Sequence, residues 1–136
     1  MANTIDNLVL QNDGVFYRHR YLCLSDGTAM TDVIMVDKST LVAHATKLEP
    51  DALDLVECQI QAWGTVNSIL LEWDHTTDDE IIAFGLQPVN IQLNNWGPIA
   101  DPMTAGATGD VVITSNGLSA NAGFMILATW RLRTAR

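Results

Sequence analysis

The sequence predicts an all-β domain of about eight strands, and three observations predict it. Apolar and polar residues alternate with a period of two through most of the apolar stretches. Turn formers such as Asn12-Asp13-Gly14, Ser25-Asp26-Gly27 and Asn116-Gly117 punctuate the chain between them. The stretch Gly85–Ser115, GLQPVNIQLNNWGPIADPMTAGATGDVVITS, carries Pro88, Pro98 and Pro102 with Gly85, Gly97, Gly106 and Gly109. No continuous helix can run through it, because proline removes a backbone donor and fixes φ. Short strands separated by turn signals are the pattern of a β-sandwich or barrel.

Residues 1–14 read as an extended N-terminal arm, mostly polar, with an apolar island at Leu8, Val9 and Leu10. Such an arm is either a frayed end or a segment ordered against a neighbouring subunit. From Val15 to Leu24 a strand sets Tyr17, His19, Tyr21 and Cys23 on one side. Thr31–Val36 forms a second strand, closed by the polar turn formers Asp37-Lys38-Ser39-Thr40. Leu41–Leu48 fits a short helix or a strand equally, and Pro50 ends it. In Asp54–Trp63, Val56, Cys58, Ile60 and Ala62 oppose Leu55, Glu57, Gln59 and Gln61; good helix formers compete there, but the alternation and the Trp63-Gly64 end favour a strand. Ser68–Trp73 has Ile69, Leu71 and Trp73 on one face, Asp74–Asp79 forms a polar hairpin loop, and Ile81–Phe84 returns. Val89, Ile91 and Leu93 alternate with Asn90 and Gln92, and Val111 with Ile113 repeats the signal beyond a long connection carrying Trp96. Connections of that length tend to be functional surfaces or crossings between sheets. Ser115–Gly123 is a turn region of small residues. Phe124–Arg133 is apolar on both faces in its middle, as a central strand is. With no internal repeat or linker, residues 15–136 make one domain.

At 136 residues and 48% apolar content, with a mean hydropathy of +0.13, the chain can bury a core without staples. Seven basic against 16 acidic residues give a net charge of −9, which opposes binding to nucleic-acid backbones and attracts partners with basic patches. The opening MANTIDNLVLQNDG has no basic region followed by an apolar core, and no apolar run approaches a membrane span. A soluble product made in the cytoplasm, with no nucleic-acid or membrane partner, is the expectation. Cys23 and Cys58 lie in apolar strand segments and are expected as free, buried thiols rather than a disulfide.

The densest group of possible ligands is Asp74, His75, Asp78, Asp79 and Glu80. Clustered carboxylates can hold Ca²⁺, but the spaced Asp, Asn and Gly pattern of a dedicated calcium loop is missing, so a solvated hairpin tip is expected. His19, His44 and His75 show no paired ligand spacing, and no GxSxG, Walker or CxxC motif is present. Gly106-Ala107-Thr108-Gly109-Asp110 lacks a lysine and precedes a strand, so it reads as a turn and not a phosphate cradle. These absences point away from an enzyme, a metal and a cofactor. A hydrolase would require a cleft gathering Asp74, His75 and Asp79. Trp63, Trp73 and Trp130 fall in strands at apolar phase and are expected in the core. Trp96, between Asn94-Asn95 and Gly97-Pro98, is expected either as an interface anchor or as a lid over an open end of the sandwich.

Four motifs carry a resemblance: YLCLSDGT at Tyr21–Thr28, VDKSTL at Val36–Leu41, LEWDHTTDD at Leu71–Asp79 and DPMTAGATGDVVITS at Asp101–Ser115, followed by the last strand with Arg131 and Arg133. In order and spacing the chain resembles the head-decoration, or cement, proteins of tailed double-stranded DNA phages. The resemblance implies a jelly-roll-like β-sandwich on the outside of the virion shell, without enzymatic activity or cofactor. Its implied partners are the major capsid protein and further copies of itself, as a homodimer or homotrimer. The Gly97-Pro98 step departs from the paired glycines of that loop. Leu8, Val9, Leu10, Asn95, Trp96 and Pro98 are the expected capsid or subunit contacts. The alternative in the same setting is a tail or receptor-binding component that recognises host glycan.

Overall fold

In the computed structural model, which describes residues 3–92 and 98–134, regular structure is almost entirely strand. The strands are β1 (Thr4–Asn12), β2 (Phe16–Asp26), β3 (Val33–Val36), β4 (Ala52–Trp63), β5 (Ser68–Trp73), β6 (Asp79–Phe84), β7 (Val89–Gln92), β8 (Ile99–Ala100), β9 (Val111–Asn116) and β10 (Ala120–Arg133). One sheet runs β1-β2-β10-β4-β7, with β8 also paired to β4; the other runs β3-β9-β5-β6. The expected β-sandwich is therefore present, with ten strands among the described residues.

The winding explains the order. The chain doubles back at the β5–β6 turn, so that β2, β3, β4 and β5 on the way out pair antiparallel with β10, β9, β7 and β6 on the way back. That ribbon rolls up across two sheets, which is the jelly-roll arrangement. Rolling buries one side of every pair. From the six-stranded sheet Tyr17, Tyr21, Cys23, Ile60, Phe124, Ile126 and Trp130 face Ile69, Leu71, Trp73, Phe84 and Ile113 from the other. Trp73 meets Trp130 edge-on at 5.8 Å and Phe84 meets Phe124 likewise at 5.9 Å, the geometry that ring quadrupoles favour.

Several expectations change. Residues 4–12 are not an extended arm but a strand, paired with β2 from Thr4↔Leu24 to Asn12↔Tyr17. Leu41–Leu48 is neither helix nor strand: a single 3₁₀ turn at Lys38–Thr40, capped by Asp37, leads into a loop closed by Lys47 N–H on the Ala43 carbonyl at 2.8 Å. Trp63 is 37% exposed, not core. It lies in phase with Gln59 and Gln61, opposite Cys58, Ile60 and Ala62. A bulge in β4 shifts the partners of β10 between Thr129↔Glu57 and Trp130↔Leu55, so Leu53 and Leu55 face inward before it while Cys58, Ile60 and Ala62 do so after it, leaving Val56 half-buried. Both cysteines are free and buried.

Candidate functional site

The register of the six-stranded sheet gathers its outward side chains into rows. Thr4, Leu24, Gly123 and Trp63 form one; Asp6, Leu22, Met125 and Gln61 the next; Leu8, Arg20, Leu127, Gln59 and Asn90 the third. Among the described residues no strand covers this face, and Leu8, Leu24 and Trp63 are 45%, 46% and 37% exposed, with Leu22, Met125 and Leu127 half-buried between them. An apolar stripe across four strands is a cost in water unless something covers it. Gly123 belongs to the design of the stripe, since a Cβ there would fall 2.6 Å from the Trp63 ring. The ring can sit against β10 at this point only because no side chain stands there.

The charges beside the stripe are paired: Arg20 lies 3.1 Å from Asp6 and Arg18 3.6 Å from Glu57. Those two pairs add no net charge next to the apolar residues. An apolar stripe flanked by paired charges can press against another protein with little repulsion.

β1 borders this face, and all nine of its residues are exposed. Its inward row, Ile5, Asn7 and Val9, runs beside Cys23, Tyr21 and His19 of β2. Only Asn7 reaches the core network: its Oδ1 lies 2.7 Å from His19 Nδ1 and its Nδ2 donates to the Tyr17 hydroxyl at 3.4 Å. Trp130 Nε1 donates to His19 Nε2 at 3.0 Å, so the imidazole proton resides on Nδ1 and goes to Asn7. Burial pushes His19 down from 6.5 to about 4, which keeps the ring neutral.

The β5–β6 turn is more ordered than the solvated tip the sequence predicted. The His75 side chain is fully buried, with Nε2 2.7 Å from Asp101 Oδ1 and Nδ1 2.9 Å from both Asp79 Oδ2 and Thr104 Oγ1. Asp74 accepts from the Thr108 hydroxyl at 2.8 Å. The glycine-rich loop is a turn as expected, and its glycines seat it: a Cβ at Gly106 would collide with Thr76, and one at Gly109 with the stem of Lys38. His75 therefore clamps the turn to the connection before β9. His75 and Asp79 do meet, but Asp74 turns to Thr108 instead, and two of the ring's three partners, Asp101 and Thr104, come from a segment whose chemistry could not be paired with His75 from the sequence.

On the other side of that turn, oxygens of Asp32, Glu72 and Asp78 lie within 4.8 Å of one another, a set that could hold a hard divalent cation. Burial first, then the neighbouring carboxylates, push Glu72 and Asp78 up. Asp32 was missed because it is brought in by β3, forty residues from its partners.

Of the expected contacts, Leu8 joins the outer stripe, Val9 faces inward beside His19, and Leu10 sits in the β1 bulge between Val9 and Gln11. Pro98 is half-buried before β8, and Asn95 and Trp96 lie outside the described residues. His19, His44 and His75 occupy different settings: core, exposed loop and buried clamp. No helix is long and apolar enough to cross a membrane among the described residues. Compared with models of known families, with characterised proteins and with solved structures, the chain shows no match.

Proposed function

We propose that this protein is a structural binding module of a virion, a decoration protein that docks on the outside of a tailed-phage head and stabilises the shell. The observation that carries the reading is the apolar stripe of Leu8, Leu22, Leu24, Trp63, Met125 and Leu127, left uncovered by the described residues and flanked by paired charges. The sequence resemblance supplies the setting; the stripe supplies a docking face of the right kind. A rigid roll that bridges shell subunits adds buried area to the closed lattice, and that area is lost when a joint opens. Many copies multiply a weak contact through multivalency. The module needs no catalytic step, cofactor or nucleic acid for this role, and its partner is the major capsid protein.

Leu24→Asp with Met125→Asp tests the reading by placing two charges in the stripe without touching the core. Cosedimentation with undecorated shells should fall at least about tenfold, while circular dichroism stays that of a β protein. Undiminished cosedimentation of the folded variant would overturn the docking face. Labelled protein should appear over heads in electron micrographs; label confined to tails would replace the reading by the receptor-binding one.

A further inference from the structure

We infer that the free edge of β1 pairs with β1 of a second copy across a two-fold axis, extending the six-stranded sheet through two molecules. Sheet edges expose unpaired backbone groups, and proteins blunt them with short strands, charges, prolines or bulges. Among the described residues the other edges are blunted: β3 has four residues, β6 begins with Asp79 and Glu80, and the strands described beyond β4 are the four-residue β7 and the two-residue β8. β1 is different. It is nine residues long, has no proline, lysine or arginine, and its one charge, Asp6, is held by Arg20 of its own sheet. Its only blunting device is the bulge after Val9, which leaves Thr4–Val9 as a continuous edge.

The register of such a pair is constrained. A two-fold axis perpendicular to the sheet keeps opposed residues on the same face, so the two residue numbers must sum to an even value. Centring on Asp6 opposes like charges, which is unfavourable. Centring on Leu8 runs the pair into the bulge. Centring on Asn7 avoids both and sets Ile5 opposite Val9 of the second copy, twice. Those residues are 41% and 47% exposed in the single chain and face the inner side, where no strand of the four-stranded sheet covers them. Pairing would cover all four together. The occupant is a second copy because the edge is self-complementary in this register and is neutral on a chain of net charge −9.

The test uses the full chain alone, without shells. Sedimentation should give a particle of twice 14.9 kDa, and Val9→Lys should convert it to a folded monomer. The double variant Ile5→Cys with Val9→Cys should cross-link into a covalent dimer under mild oxidation, since each new thiol faces its complement. Either single variant should cross-link poorly, because equivalent residues then lie roughly 13 Å apart along the strands. The native cysteines are buried and do not interfere. A monomeric wild-type chain, or single variants that cross-link as readily as the double, would overturn the pairing. The outcome separates from the docking reading: a monomer that still cosediments with shells refutes only the pairing, and a dimer that ignores shells refutes only the docking.

Discussion

His19 has no exposed surface, yet both ring nitrogens are in use, one on Asn7 and one on Trp130. Its depressed pKa fixes a sign. Between the folded value of about 4 and the unfolded value of 6.5, the unfolded chain binds the extra proton. The stability this neutral ring carries is complete above pH 6.5 and is lost as pH falls toward 4, on the order of 3 kcal/mol in all. Thermal melts from pH 7 to 4.5 should show that decline, and His19→Gln, which cannot titrate, should flatten it. Two carboxyls of the trio work in the opposite sense. Burial first, then neighbouring carboxylates, push Glu72 and Asp78 up, so folding is opposed as pH rises through their folded values. Asp32 sits at φ +48, a conformation that asparagine tolerates well, and its Oδ1 accepts from Thr114. Asp32→Asn should therefore raise stability at pH 7 by a few tenths of a kcal/mol, ~0.3–0.5, in denaturant titrations, with the gain shrinking in acid. Burial pushes the Cys23 and Cys58 thiols up to about 11 and about 12, so thiol reagents should label neither until the protein unfolds.

The element that ties the roll together is the β5–β6 turn. Its sequence, Asp74-His75-Thr76-Thr77-Asp78-Asp79, was legible as a hairpin tip because aspartate and threonine are ordinary turn residues. The burial of His75 was not legible, because Asp101 and Thr104 reach it from a connection more than 25 residues on. His75→Ala would leave Asp101 buried without its nearest partner and should cost about 2 kcal/mol. Limited proteolysis in the 101–108 connection should speed up accordingly, and unchanged cleavage would mean the clamp does not hold that segment. β4 teaches the complementary lesson. The alternation that sets Cys58, Ile60 and Ala62 on one face also sets Trp63 on the other, whereas Leu55 turns inward only because one bulge shifts the phase between the two halves.

At the scale of the molecule, two surfaces of the doubled-back ribbon stay uncovered by the described residues, the outer face of the six-stranded sheet and the edge of β1. They adjoin through Leu8, so a β1–β1 pair would place two apolar stripes in one continuous sheet. If both proposals hold, the Val9→Lys monomer should bind shells more weakly than the dimer by a factor of about 100, since one docking event would no longer raise the effective concentration of the second. Equal binding by monomer and dimer, measured by cosedimentation, would separate the two surfaces functionally.

The amino-acid order alone determined that the chain is built of strands, where most of them run, and that Cys23, Trp73 and Trp130 turn inward, because these follow from period-two alternation and from proline and glycine, which act within a few residues. Tertiary structure decided the rest. It made the first residues a strand rather than an arm, turned Leu53 and Leu55 inward ahead of a bulge, buried His75 among partners far along the chain and paired the charges beside the stripe. Each of these depends on which strand lies beside which, and that choice is made by the rolling of the whole ribbon around a shared core, a property no local stretch contains.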